Sequence, residues 1–345
     1  ATGGVENDAT LVFDRSDNVT VGSAIVGSGT ITQNNTNTLT LSGNNAFTGP
    51  LNVSLGTVKA GSGTALGTAD GTTTISSGAA LDVNGQTLTT EPVVVSGTGV
   101  GGLGAIVNSG ADITTALGNV TLTGDTTFGG SGRWDIRGGA ATLSTSGAAY
   151  NLTKVGTNQV SLVGVNVDGN LGDINVMNGI LSIETTTSGL GNAGNNLTVA
   201  AGATLQLYNT TTSLSKQFML NGDGKTTTLN CGAGTGNTLS GPVTLNGGCL
   251  FAAATGSALT FNGNLTGSGS LVKTGAGTNV IATGITASYT GGTTVSNGVL
   301  VVNGSLSGVV TVAGGATLGG KGTASGAVTV QGGGLAPGDI TSATP

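Results

Sequence analysis

SYTGGTTVSNGVLVVNGSLSG, residues 288–308, is the stretch that decides how this chain folds. Its apolar residues come in short alternating bursts, each burst is closed by Gly or Asn, and none of its residues is charged. Val, Ile and Thr are branched at Cβ, which stiffens the side chain and suits it to a pleated strand. Gly and Asn reach φ > 0 at the lowest steric cost, so they mark corners between strands. The stretch reads as strand, corner, strand, about one coil of something that winds.

The whole chain has the same character. Of 345 residues 67 are Gly, 37% are hydrophobic, and only 7% are charged and 3% aromatic. No G-X-Y period runs through it and Pro occurs five times, which excludes a collagen-like fibre. Disordered chains are charged and poor in β-branched residues, whereas this one is rich in Val, Ile and Thr. The composition therefore predicts an ordered, β-rich protein of short strands and many tight corners. With nine basic against fifteen acidic residues and a net charge of −6, it lacks the clustered Lys and Arg that phosphate backbones require, so no nucleic acid partner is expected. No apolar run approaches the roughly 20 residues of a membrane helix. The opening ATGGVENDATLVF has neither a basic nor an apolar leader region, so a signal peptide is expected to have been removed or not included.

Residues 288–308 have relatives elsewhere in the chain. In NAFTGPLNVSLGTVKAGSG (45–63), Phe47 falls on Tyr289, Val53 on Val295, Gly56 on Gly298 and Val58 on Leu300. A weaker copy, GNLGDINVMNGILSIETT (169–186), places Val176, Gly179 and Leu181 at the last three positions. TISSGAALDV (74–83), TVAAGATLQL (198–207) and TVAGGATLGG (311–320) form a second family of copies, and NLTKVGTNQVSLVG (151–164) resembles SLVKTGAGTNVIATG (270–284). Offsets cluster at 113 to 125 residues, which gives super-repeats of about 120 residues at about 27–150, 151–270 and 271–345 of a single domain spanning 1–345. Helix signals are nearly absent. Regular short strands suggest a sandwich, barrel or solenoid, and ordered self-similarity selects the solenoid, in which each coil contacts only its neighbours. The expected fold is all-β, a right-handed parallel β-helix forming an elongated rod. Aliphatic residues face the axis, Gly and Asn sit at the corners, and uncharged Thr, Ser and Asn face outward. At about 20 residues per coil the chain would make about 15 to 18 coils and span about 80 Å.

YTGGTTVSNGVLVVNGSLSG, continued by VTVAGGATLGGKGTASGAVTVQGGGLAPGD (309–339) and preceded by LVKTGAGTNVIATG, resembles the passenger-associated repeat of bacterial autotransporters. The match is most specific over 271–339, fair over about 27–88 and degenerate between them. The resemblance implies a parallel β-helical passenger, secreted or displayed on the surface of a Gram-negative-type cell, and transfers no catalytic residues. It also implies a translocator β-barrel after the passenger. The chain stops at LAPGDITSATP instead, which leads us to expect a fragment, a processed product or the ordered part of something longer.

Candidate sites are few. The chain has no His, which removes the commonest general base and metal ligand and the Ser-His and Cys-His nucleophile systems. A carboxylate-based polysaccharide lyase or hydrolase would need acids converging on one face, about 5 to 10 Å apart for hydrolysis. The closest groups are Asp14 with Asp17 and Asp168 with Asp173, which read as turn or cap residues. The densest polar cluster is RWDIR, which holds the only Trp and two of the three Arg. In a strand Arg133, Asp135 and Arg137 share one face and Trp134 and Ile136 the other. It reads either as a partner or glycan contact or as a salt-bridged strand with Trp134 packed inward. Cys231 and Cys249 are close to one coil apart in spacing, and either form a disulfide between adjacent coils or serve as two small buried hydrophobes. Nine Asn-X-Ser/Thr triplets are no more than chance supplies.

No catalytic residue, cofactor or metal is assigned. The expected function is a non-enzymatic surface or extracellular rod: a stalk, adhesin or filament segment. The alternatives are a carbohydrate-active β-helix enzyme and a self-associating, fibre-forming module. The partners considered are other copies, end to end or laterally, and surface glycans or other cells.

Overall fold

The structure, a computed structural model, describes residues 3–339. They fall into two compact units that divide between Gly172 and Asp173. Each unit is built from short strands that pair in parallel with the strand one coil further along the chain. Among the described residues the one helical piece is a single 3-10 turn, Val100–Gly102. Each unit is thus a parallel β-solenoid, the architecture that the alternating bursts and the repeats predict.

The register shows why the sequence winds this way. In the first unit an inward ladder passes through Ile31, Leu51, Thr73, Val93, Val120 and Leu143. A second ladder runs Val58, Leu81, Ile106, Phe128 and Lys154. The coils are unequal: the step from Ile31 to Leu51 is short, and the step from Val93 to Val120 is long. In the second unit the ladders are Leu205, Leu229, Phe251, Lys273, Val295 and Val312, and beside it Leu259, Asn279, Leu300 and Leu318. Coils there shorten toward the end, where Val310 already meets Val328. Strands about 4.8 Å apart place each inward side chain on its counterpart above and below, so apolar surface is removed from water continuously along the axis.

The corners explain the glycine. Gly56, Gly179 and Gly298 occupy one repeat position and share φ values of 66°, 65° and 66°. A Cβ on Gly56 would lie 2.2 Å from the Asn35 carbonyl oxygen, and one on Gly298 would lie 2.4 Å from those of Gly275 and Gly277. Only glycine satisfies both the backbone angle and the space. Phe47 and Tyr289, matched in sequence, are both buried, and the Tyr289 hydroxyl lies 2.6 Å from the Thr293 hydroxyl.

Candidate functional site

The polar groups inside the coils are the first place to look for chemistry. Lys154, Lys216 and Lys273 are all buried. Lys154 alternates with Leu152 on the strand Leu152–Lys154 and so points inward, where its Nζ donates to the carbonyls of Val155 (2.8 Å) and Gly156 (2.9 Å). Lys273 does the same to Thr274 (2.7 Å) and Gly275 (2.7 Å), and to the Asn297 carbonyl (3.1 Å) on the next coil. Gln33 performs this task in the first repeat, its Nε2 reaching the carbonyls of Asn35 (2.8 Å) and Asn37 (3.0 Å). Asn237 donates to Ala233 (2.8 Å) and Gly234 (2.7 Å) and accepts from the Thr210 N–H and hydroxyl. These side chains satisfy corner carbonyls that would otherwise be buried without a partner. Burial pushes all three lysines down to about 8. In the first unit burial pushes the Glu91 carboxyl up to about 7, although the Thr73 hydroxyl donates to it at 2.7 Å.

The RWDIR segment is built around its aspartate. Asp135 accepts from Arg133 Nε (2.8 Å) and Nη2 (3.0 Å) and from Arg137 Nη2 (2.9 Å). It is fully buried, while the two arginine arms remain partly exposed above it. Trp134 points the other way into the core, its Nε1 donating to the Gly129 carbonyl at 2.9 Å and its ring meeting Phe128 edge-on at 5.0 Å. Trp134 is fully buried, so it offers no face to a glycan. The strand's alternation sends it inward, which removes Trp134 from the partner or glycan contact weighed for this segment. Arg133, Asp135 and Arg137 do share the outer face.

Of the two readings weighed for Cys231 and Cys249 the disulfide is not formed, and both are free and buried. The coil at this point is longer than the spacing of the two cysteines, so Cys231 stacks on Ala253, four residues beyond Cys249. Four residues of strand is about 13 Å, more than a disulfide spans. The Cys231 sulfur faces the Ala258 carbonyl at 3.4 Å, and that of Cys249 faces the Leu220 carbonyl at 3.3 Å. Burial pushes both thiols up.

The acids serve the backbone. Asp168 accepts N–H bonds from Asn170, Thr145 and Gly147, which hold it well below the usual carboxylate range. Asp173 accepts from the N–H of Asn196 (2.8 Å) and the amide of Asn195 (3.1 Å). Asp14 accepts from Asn35, and Asp17 pairs with Arg15 at 2.9 Å. Among the described residues no group of three or more His, Cys, Asp or Glu is placed to hold a metal ion, and no helix is long and apolar enough to cross a membrane. Outward, uncharged amides stack from coil to coil. Gln206 donates to Ser182 (3.1 Å), Asn230 to Gln206 (2.8 Å) and Asn246 to Asn221 (3.0 Å).

Sequence reasoning missed the buried lysines, Gln33 and Glu91. The signal was there in L-x-K-x-G at 152–156 and 271–275, where strand alternation places the lysine on the same face as the leucine. With this geometry in place, comparison with known proteins gives one finding: residues 31–60 and 271–302 both match the passenger-associated-transport-repeat. The two matches are consistent with an autotransporter passenger built of β-helix repeats. No curated protein and no solved structure matches the chain.

Proposed function

We propose that this chain, which carries passenger-associated transport repeats on a β-solenoid, is a non-enzymatic structural segment of an autotransporter passenger. It acts outside the cell or on the surface of a Gram-negative-type bacterium as a stalk, adhesin or filament segment. The observation that carries this reading is what the polar groups do. Lys154, Lys273 and Asn237 tie corner carbonyls, Asp168 and Asp173 cap backbone, and Asp135 is covered by two arginines. Such groups are engaged in holding coils together rather than in presenting a reactive constellation. Incubation with a panel of polysaccharides should yield neither new reducing ends nor unsaturated sugars. Release of either would move the chain to the carbohydrate-active reading.

Self-association is a second reading, favoured by the uncharged side chains that stack from coil to coil, Asn230 on Gln206 and Asn246 on Asn221. Negative-stain images separate the readings: dispersed single particles support the stalk, and long fibres support assembly between copies.

A further inference from the structure

We infer that Asn297 is a site of self-modification, whose side-chain amide is lost through a cyclic imide formed with the Gly298 nitrogen and promoted by Lys273. Three features converge on this corner. The Gly298 N–H donates to the Asn297 Oδ1 at 2.7 Å, which brings the amide carbon Cγ beside the nitrogen that attacks it. Asn297 is exposed, so water and hydroxide reach it. Lys273 Nζ lies 3.1 Å from the Asn297 carbonyl oxygen, the atom that takes the negative charge when the Asn297–Gly298 peptide loses its proton. A fixed donor aimed at the atom where charge develops lowers the barrier to forming that charge.

The step balances with water alone. Hydroxide takes the Gly298 amide proton, the nitrogen lone pair bonds to Cγ, and the Cγ–Nδ2 bond breaks, releasing ammonia after water supplies its proton. Water then opens the ring, at Cγ to give aspartate or at the backbone carbonyl to give isoaspartate. Either product places a carboxylate on the corner, and isoaspartate also lengthens the main chain by one carbon at a glycine held at φ 66°.

Seven Asn–Gly pairs occur in the chain, which gives the idea internal controls. Asn178 makes the same 2.7 Å contact with the Gly179 N–H. At Asn84 the amide donates to the Ala60 carbonyl and the Gly85 N–H is taken by Asn108 Oδ1 at 2.8 Å. Asn221 and Asn246 are held in the amide stack, and the Asn303 Oδ1 accepts the Lys321 N–H.

The test is peptide-mapping mass spectrometry on the full chain incubated in buffer near pH 7, where Lys273 keeps its proton, with isoaspartate detected by enzymatic methylation. Asn297 should convert faster than Asn84, Asn221, Asn246 and Asn303 in the folded chain, and lose that lead in urea. Lys273→Gln keeps a corner donor, as Gln33 does in the first repeat, but removes the charge. It should slow Asn297 on the order of tenfold and leave Asn178 unchanged. Should the variant fail to fold, the ratio of Asn297 to Asn84 in folded and unfolded wild-type chain decides the matter alone. Conversion of Asn297 no faster than Asn84, or a K273Q rate equal to wild type, overturns the inference.

Discussion

The two matched repeats, 31–60 in the first unit and 271–302 in the second, use one backbone and different interiors. Gly56 and Gly298 share a φ of 66°, and Phe47 and Tyr289 are both buried. At the inward corner position, however, one copy places neutral Gln33 and the other the cation Lys273. Six residues on, Leu39 is replaced by Asn279, an amide lying in a ladder between Leu259 and Leu300 with no hydrogen-bond partner at either end. The difference teaches that glycines and apolar ladders fix the coil. The polar group inside a corner need only reach the carbonyls, so its charge can vary.

The largest effects should come from cores that the two units fill differently. Trp134→Ala removes a fully buried ring with its Gly129 hydrogen bond, and Phe251→Ala removes one member of the stacked pair with Phe261. Each should cost about 3–5 kcal/mol, seen as a lower urea midpoint with circular dichroism as the probe. A loss below about 1 kcal/mol at Trp134 would mean that the ring is not in the core. Next come the corners. Gly56→Ala and Gly298→Ala both meet backbone oxygens within 2.4 Å, and both should destabilise by about 1–3 kcal/mol. Unequal losses would break the equivalence of the two repeats.

Charge supplies the third contrast. Lys273 has a folded-state value of about 8 against 10.5, so the cost of burying its charge is present below pH 8 and disappears as pH rises to 10.5. Stability should therefore increase through that window, by on the order of 2 kcal/mol or less, and Lys273→Gln should flatten the rise. Glu91 behaves oppositely. Its value of about 7 lies above 4.5, so its contribution is full below pH 4.5 and is lost as pH climbs through 7. Glu91→Gln should remove that decline from a chemical-unfolding series against pH. The smallest effect carries the most telling sign. Asn279→Leu restores the residue type of Leu39 and should stabilise by about 1–2 kcal/mol, since an unpaired buried amide is lost. Destabilisation would show that the amide has a role in the corner.

Much of this was legible in the sequence because coils repeat. Val53, Gly56 and Val58 could be laid on Val295, Gly298 and Leu300, and the corners and inward faces followed. The alternation in RWDIR likewise placed Arg133, Asp135 and Arg137 on one face. What escaped reading depends on register, which spacing alone does not set. Cys231 and Cys249 have the spacing of a short coil, but the coil that starts at Cys231 closes only at Ala253. Lys154 and Lys273 escaped because lysine is ordinarily exposed, and only the position of corner carbonyls explains their burial. Glu91 is held by the Thr73 hydroxyl from a neighbouring coil, a contact no local pattern announces.

The central claim is that successive coils stack in parallel and in register. Its most direct test is cysteine cross-linking on the outer face of the second unit, with Cys231 and Cys249 replaced. Thr294 pairs with Thr311, and Thr311 with Thr329. Thr294→Cys with Thr311→Cys should oxidise readily at about 4.8 Å, while Thr294→Cys with Thr329→Cys, two coils apart at about 10 Å, should stay reduced. Ready oxidation of the second pair, or none of the first, would contradict the stacked coil.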